Sequence, residues 1–279
     1  MKQIMTALAT VLALSACKPK QDLPKEWVLE QSIPLKGVNP IGITEVEGQL
    51  WLSDGDHNRL VKINDQGQIL AAIDSLDRPM HIDAFEKVLY VPQYGSDNIV
   101  SYSEGYQEVM AIKDSLDAPA AIAVFDQETA IADFYNNRIL YFNGIEWISI
   151  GREGKGEGEF YYPTDVQITA DNIWVADAYN NRIQVFGKEG NFVKMMGQDQ
   201  KMNAATGIYV SDTEVFVTDF ENNRVLVLDM EGKLKQELKD SVQKPTDILI
   251  MAGKLYIINY STGTLNSYLS QEVKKETNI

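Results

Sequence analysis

Only one cysteine and two histidines occur among the 279 residues: Cys17, His57 and His81. A single thiol excludes an intramolecular disulfide. With two imidazoles and no nucleophile motif, a Ser/His/Asp triad is not indicated. Basic residues are scarce as well: 25 Lys and Arg stand against 40 Asp and Glu, a formal charge of −15. Phosphate binding needs a basic face, so this balance argues against a nucleic-acid partner. The longest mostly apolar run, Ile4 to Leu14, is too short to span a bilayer as a stable helix. No amphipathic helix of useful length follows it.

That run comes after Lys2 and ends in Leu14-Ser15-Ala16-Cys17, the layout of a signal peptide. The last four letters resemble the lipobox of bacterial lipoproteins. The resemblance implies removal of residues 1–16 and lipidation of Cys17, which leaves no thiol for catalysis or metal binding. Several acyl chains, at about 0.8 kcal/mol per buried methylene, make a durable membrane anchor. The polar stretch "KPKQDLPKE" is then expected to complete a tether over residues 17–26. The expected location is the cell envelope. Lys18 stands where the common inner-membrane retention signal has an aspartate, which favours the outer membrane, periplasmic or surface side.

The rest of the chain repeats. A strand start recurs as "PIGI" at Pro40, "PMHI" at Pro79, "PAAI" at Pro119, "PTDV" at Pro163, "ATGI" at Ala205 and "PTDI" at Pro245. Fourteen residues after each start stands a turn position: Asp54, Gln93, Asp133, Asp177, Asp219 and Asn259. Short runs rich in β-branched and aromatic residues flank each turn, and Gly, Asn and Asp punctuate them. Four strands in each unit of about 40 residues, six times over, predict an all-β, six-bladed β-propeller with antiparallel blades. The sixth unit has three strands, ending near Tyr268, and the unmatched fourth lies in "EWVLEQSIPL". Residues 27–33 are therefore expected to close the ring as the outer strand of blade six, with the propeller spanning 27–268 and a polar tail over 269–279.

"GREGKGEGEFYYPTDVQI" followed by "NIWVADAYNNRIQVFGKEGNFV" resembles the NHL repeat. The likeness is strongest in units four and five and degenerate in two and six. It implies a recognition or scaffold domain. Some relatives with similar six-bladed rings are metal-dependent lyases or lactonases, so fold leaves function open.

The turns pair Asp54 with Arg59, Asp133 with Arg138, Asp177 with Arg182 and Asp219 with Arg224. Each Asp ends a second strand and each Arg opens a third, which makes them cross-strand neighbours. Units two and six change both partners, to Gln93/Asn98 and Asn259/Thr264. Acid and base are lost together, as expected of a buried structural contact in which one lone charge is costly. The intervening Asn residues suit positive φ.

Functional residues are expected on the face that carries these turns. Its aromatics are Tyr94, Phe134, Tyr135, Tyr179, Phe220 and Tyr260, which either pack between turns or form a rim for a protein or small-molecule partner. The Gly-rich link Gly151–Tyr162 lacks the lysine-serine ending of a P-loop. The second residue after each strand start reads Gly42, His81, Ala121, Asp165, Gly207 and Asp247. His81, Asp165 and Asp247 fall on alternate blades and make a plausible divalent-metal set. The alternative is that the two carboxylates bond to neighbouring blade backbones. The lyase-like propellers hold their metal with several histidines, which this chain cannot supply. The leading expectation is a lipid-anchored binding or scaffold propeller without a cofactor, and the alternative a metal-dependent lyase or lactonase-like hydrolase.

Overall fold

The computed structural model describes residues 25–273. The signal-peptide and lipidation readings at residues 1–16 and Cys17 lie outside them, as does most of the tether. Among the described residues no helix is long and apolar enough to cross a membrane.

Six four-stranded antiparallel sheets form the ring. From channel to rim, blade four consists of Pro163–Ile168, Asn172–Asp177, Arg182–Gly187 and Phe192–Met196. Blades one, two, three and five follow the same consecutive order. Blade six takes Pro245–Met251, Lys254–Asn259 and Thr264–Glu272 from the end of the chain, and Lys25–Pro34 from its beginning. The ring closes as the strand count requires. The closing strand begins two residues before the expected 27, so Lys25 and Glu26 are not tether. Its partner runs four residues past 268, and the polar tail is shorter by that much. Cross-strand pairing causes both changes: Lys25 faces Glu272 at one end and Pro34 faces Thr264 at the other. Trp27 also reaches blade five, meeting Phe216 edge-on and donating its indole N–H to Glu214.

Apolar residues alternate along the strands and meet between blades. Six hydrophobic clusters fill the six blade interfaces. Trp174, Tyr141 and Phe186 are among the fully buried side chains, and burying a large apolar side chain stabilises by about 1.5–3 kcal/mol. Each blade thus needs a neighbour on both sides.

Blade two departs from the pattern. Its inner strand is confined to Asp83–Phe85, while Pro79 and His81 make isolated bridges. The His81 amide bonds the Ala120 carbonyl of blade three instead of its own blade.

Candidate functional site

The face is built by the turns between second and third strands. Asp54, Asp133, Asp177 and Asp219 are fully buried. One oxygen of each accepts from Nε of Arg59, Arg138, Arg182 or Arg224, at 2.7–2.9 Å. The other accepts a backbone N–H from the link leading into the same blade, at Asn39, Asp117, Tyr161 or Asn203. Where the charges are missing, neutral bonds replace them. Gln93 donates to Asn98 and accepts from the Asp77 amide. Asn259 donates to Thr264 and accepts from the Gln243 amide.

One residue before each third strand the backbone turns left-handed, at Asn58, Asp97, Asn137, Asn181, Asn223 and Gly263, with φ between 51° and 56°. Asn, Asp and Gly tolerate this conformation best. Five of these side chains also latch the following blade. Their oxygens accept the amides of Arg78, Ala118, Tyr162, Ala204 and Lys244 at 2.7–3.0 Å. At the sixth junction, where the chain ends meet, Gly263 offers only its carbonyl, to Leu35.

With the turns held this way, five of the six residues that follow the anchors line the channel mouth, Gly55, Tyr94, Phe134, Phe220 and Tyr260, and the sixth, Ala178, is fully buried. Four are aromatic, and the two small ones stand on blades one and four, opposite each other in the ring. Tyr94 and Phe134 therefore form one wall, edge to face at 5.9 Å. Phe220 and Tyr260 form the other. Both walls line a cavity of about 290 Å³. Gly55 has no room for a larger side chain, because a Cβ there would lie 2.7 Å from Ile41 and 2.9 Å from the Pro79 carbonyl. The floor is half apolar, with Ile41, Met80 and Ala120, and half hydroxylic, with Thr164, Thr206 and Thr246.

Tyr135 and Tyr179 do not enter the mouth. They stand exposed at the outside of an aromatic ladder in which Tyr94, Phe134, Tyr135, Tyr162, Tyr161 and Tyr179 touch in succession, centroids 4.5–5.9 Å apart. Tyr161 and Tyr162 come from the Gly-rich link and are not among the aromatics expected on this face.

Below the floor, His81, Asp165 and Asp247 converge from blades two, four and six. All three are buried, with potential ligand atoms within 4.8 Å of one another. The His81 Nδ1 lies 3.5 Å from Asp247 and 3.9 Å from Asp165, and it has no hydrogen-bond partner. Each carboxylate is already held by two backbone amides. Asp165 accepts from Val166 and from Ile208 of the next blade, and Asp247 from Ile248 and from Ile43. The two sequence alternatives thus coexist: the carboxylates brace blades and also face the histidine. Burial disfavours the His81 imidazolium, but the charges of Asp165 and Asp247 outweigh it and raise its pKa. Burial pushes Asp165 up to about 7 against the pull of His81.

This layer divides the channel. His81 lines the mouth cavity, Asp165 and Asp247 line the cavity on the far side, and the two cavities share no lining residue. The far cavity holds a third acid, Asp83, which braces Val124 of blade three as the other two brace their neighbours. Burial pushes it up to about 7 although two backbone amides oppose the shift. Asp83 escaped the reading of the column because blade two slips. Its equal spacing with Asp165 and Asp247 was the available signal.

Residues 160–186 match the family model of the NHL repeat. This stretch covers the inner three strands of blade four, including Asp177 and Arg182. No curated protein matches the chain in sequence. Solved structures share the fold at low identity. A catalytically inactive virginiamycin B lyase from Staphylococcus aureus with quinupristin has a TM-score of 0.64 at 16% identity, over 91% of this chain and 90% of that one. A gluconolactonase from Xanthomonas campestris reaches 0.70 at 12% identity, over 91% and 100%. A chain of the nidogen/laminin complex reaches 0.62 at 16%, over 76% and 86%.

Proposed function

We propose that the protein is a binding propeller that recognises a ligand through the mouth of its channel, held in the cell envelope by lipid on Cys17. The observation that carries this reading is the pair of aromatic walls, Tyr94/Phe134 and Phe220/Tyr260, facing each other across a cavity. Concave apolar sites with a few placed polar groups are where small ligands bind, and aromatic anchors dominate protein recognition too. A chain of the nidogen/laminin complex is among its structural relatives. The test is capture of ligands from envelope extract by full-length protein in detergent. Phe134→Ala with Phe220→Ala abolishes specific capture, while Leu70→Ala on the outer edge leaves it intact. Equal capture by all three proteins refutes the reading. Incorporation of a clickable palmitate, lost in Cys17→Ser, tests the anchor.

A second reading is favoured by the unpartnered, buried Nδ1 of His81. Metal bonds of about 2.1 Å set neighbouring ligand atoms about 3.0–4.2 Å apart, and the 3.5 and 3.9 Å separations fit. His81, Asp165 and Asp247 would hold a divalent ion with coordination positions left open. Such an ion supplies Lewis-acid polarisation of a carbonyl or alkoxide, as a lyase or lactonase-like hydrolase requires. The protein's own part is to fix the three ligands by backbone bonds and shield them beneath the mouth. Purified protein dialysed against Zn²⁺, Mn²⁺ or Mg²⁺ then retains one equivalent, and His81→Ala retains none. Absence of stoichiometric metal in the unaltered protein removes this reading.

A further inference from the structure

We infer that the mouth takes a planar organic anion: a ring-bodied carboxylate whose ring slides between the two aromatic walls and whose charge meets Arg78. The inference rests on the mouth being a ligand site, and it adds the chemical class. Of the six arginines in the chain, five are committed to carboxylates: Arg59, Arg138, Arg152, Arg182 and Arg224. Arg78 alone makes no ion pair and no side-chain hydrogen bond among the described residues. In a chain with 40 acids this is unexpected unless something holds the acids off. Asp56, the carboxylate at the same mouth, is held by Asn39 at 2.9 Å and by the Tyr260 hydroxyl at 2.8 Å. The Arg78 guanidinium lies over the Tyr94 ring, 4.8 Å from its centroid, and lines the cavity. A stacked guanidinium keeps its N–H fork free for a planar, bidentate carboxylate.

The shape of the mouth agrees with a flat ligand. The aromatic side chains of blades two and three and of blades five and six line the cavity, and the small residues of blades one and four, Gly55 and Ala178, add no side-chain wall between them, so the free space lies between the two aromatic pairs. Arg78 leads into blade two, beside Gly55. On the floor, the Thr164, Thr206 and Thr246 hydroxyls donate to the Ala205, Pro245 and Pro40 carbonyls of the next blades. A hydroxyl has one proton, so what these threonines offer to the slot is acceptor lone pairs. The ligand therefore carries a hydroxyl or N–H at the edge that meets the floor.

The probe is 4-hydroxyphenylacetate, with its neutral carboxamide as comparison, added to full-length protein labelled with ¹³C-methyl methionine. The Met80 methyl lies in the floor and reports occupancy; its signal is assigned by Met80→Leu. The acid shifts this signal saturably and binds at least about tenfold more tightly than the amide. Arg78→Gln brings the acid down to the amide's affinity, and Arg78→Lys recovers part of the difference. Arg78 is exposed and makes no side-chain hydrogen bond, so Arg78→Gln loses only the stacking on Tyr94 and lowers the melting temperature by no more than about 2–4 °C. Equal binding of acid and amide, or full binding of the acid by Arg78→Gln, overturns the anion inference and leaves the mouth as a ligand site. No saturable Met80 shift with either compound overturns both.

Discussion

Replacing Arg182 by alanine removes five contacts at once, the weakest being that of Nη1 to the Met195 sulfur at 3.7 Å. Its Nε bonds the fully buried Asp177 at 2.8 Å, and its Nη atoms bond the carbonyls of Lys155, Gly156 and Glu159 at 2.7–2.9 Å. The three carbonyls belong to the Gly-rich link, where water can replace the guanidinium. Asp177 cannot be rehydrated so easily, and stripping one partner from a buried ion pair costs about 3–5 kcal/mol. Bonds to Asp177 from Asn180, Gln184 and the Tyr161 amide survive, so the low end, about 3 kcal/mol, is expected. For a domain of this size that lowers the melting temperature by about 6–12 °C. The informative comparison is the double variant Asp177→Gln with Arg182→Asn, which installs the neutral pair of blade two. It leaves no unpaired charge, costs about 1 kcal/mol as one hydrogen bond is weakened, and melts well above the single variant. Burial already raises the Asp177 pKa, with Arg182 among the groups opposing it. Without Arg182 the pKa rises further, so the native variant binds a proton that the unfolded chain releases. Its deficit against the unaltered protein should therefore shrink as pH falls from 7 to 5. Calorimetry at both pH values measures all of this. Equal losses in single and double variants, or a deficit indifferent to pH, would refute the account of a buried charge pair.

Asp83 gives a pH dependence of its own. Its carboxyl is pushed up to about 7 in the folded ring and returns to about 3.9 on unfolding. Between those values the folded state holds the extra proton, so stability falls as pH rises through the window. The full shift corresponds to about 4 kcal/mol, but the side chain opens partly onto the far cavity, and solvent screening leaves about 1 kcal/mol. Asp83→Asn should flatten the decline in melting temperature between pH 4 and 7; an unaltered slope rejects the assignment. Asn181→Gly keeps the left-handed turn but loses the latch to the Ala204 amide, at a cost of about 1 kcal/mol. Asn181→Ala adds about another 1 kcal/mol for the strained backbone. Denaturant melts that rank alanine at or above glycine would show that the turn conformation is not what matters.

The architecture was legible because its determinants are local and repeated. Strand runs and the constant offset from strand start to turn recur in every unit, the Asn before the Arg recurs in four of the six, and the missing fourth strand of unit six had one place to come from. The aromatic residues at the mouth were legible for the same reason, since each follows an anchor. What was hidden depends on relations between blades. That Gly55 and Ala178 stand opposite each other, between the two aromatic pairs, appears only when the ring is closed. Tyr135 and Tyr179 share the sequence signature of their neighbours but point outward, one step further around the turn. Asp83 was concealed because His81 bonds its main chain to blade three and shifts the inner strand of blade two along the channel. Arg78 looked like any surface base until every other arginine proved to have a carboxylate.

The strand that closes the ring also sets how the protein is presented. Pro34 lies beside Thr264 at the slot face, so Lys25, at the other end of that strand beside Glu272, lies on the opposite face. Whatever holds the chain upstream of Lys25 pulls on the side away from the slot. An anchor at Cys17 leaves seven residues, 18–24, which reach at most about 25 Å. If lipid on Cys17 holds the protein as proposed, the far cavity with its three acids would turn toward the lipid headgroups. With that proposed anchor the slot would open to the surrounding compartment, and its occupant would arrive from solution and not from the bilayer.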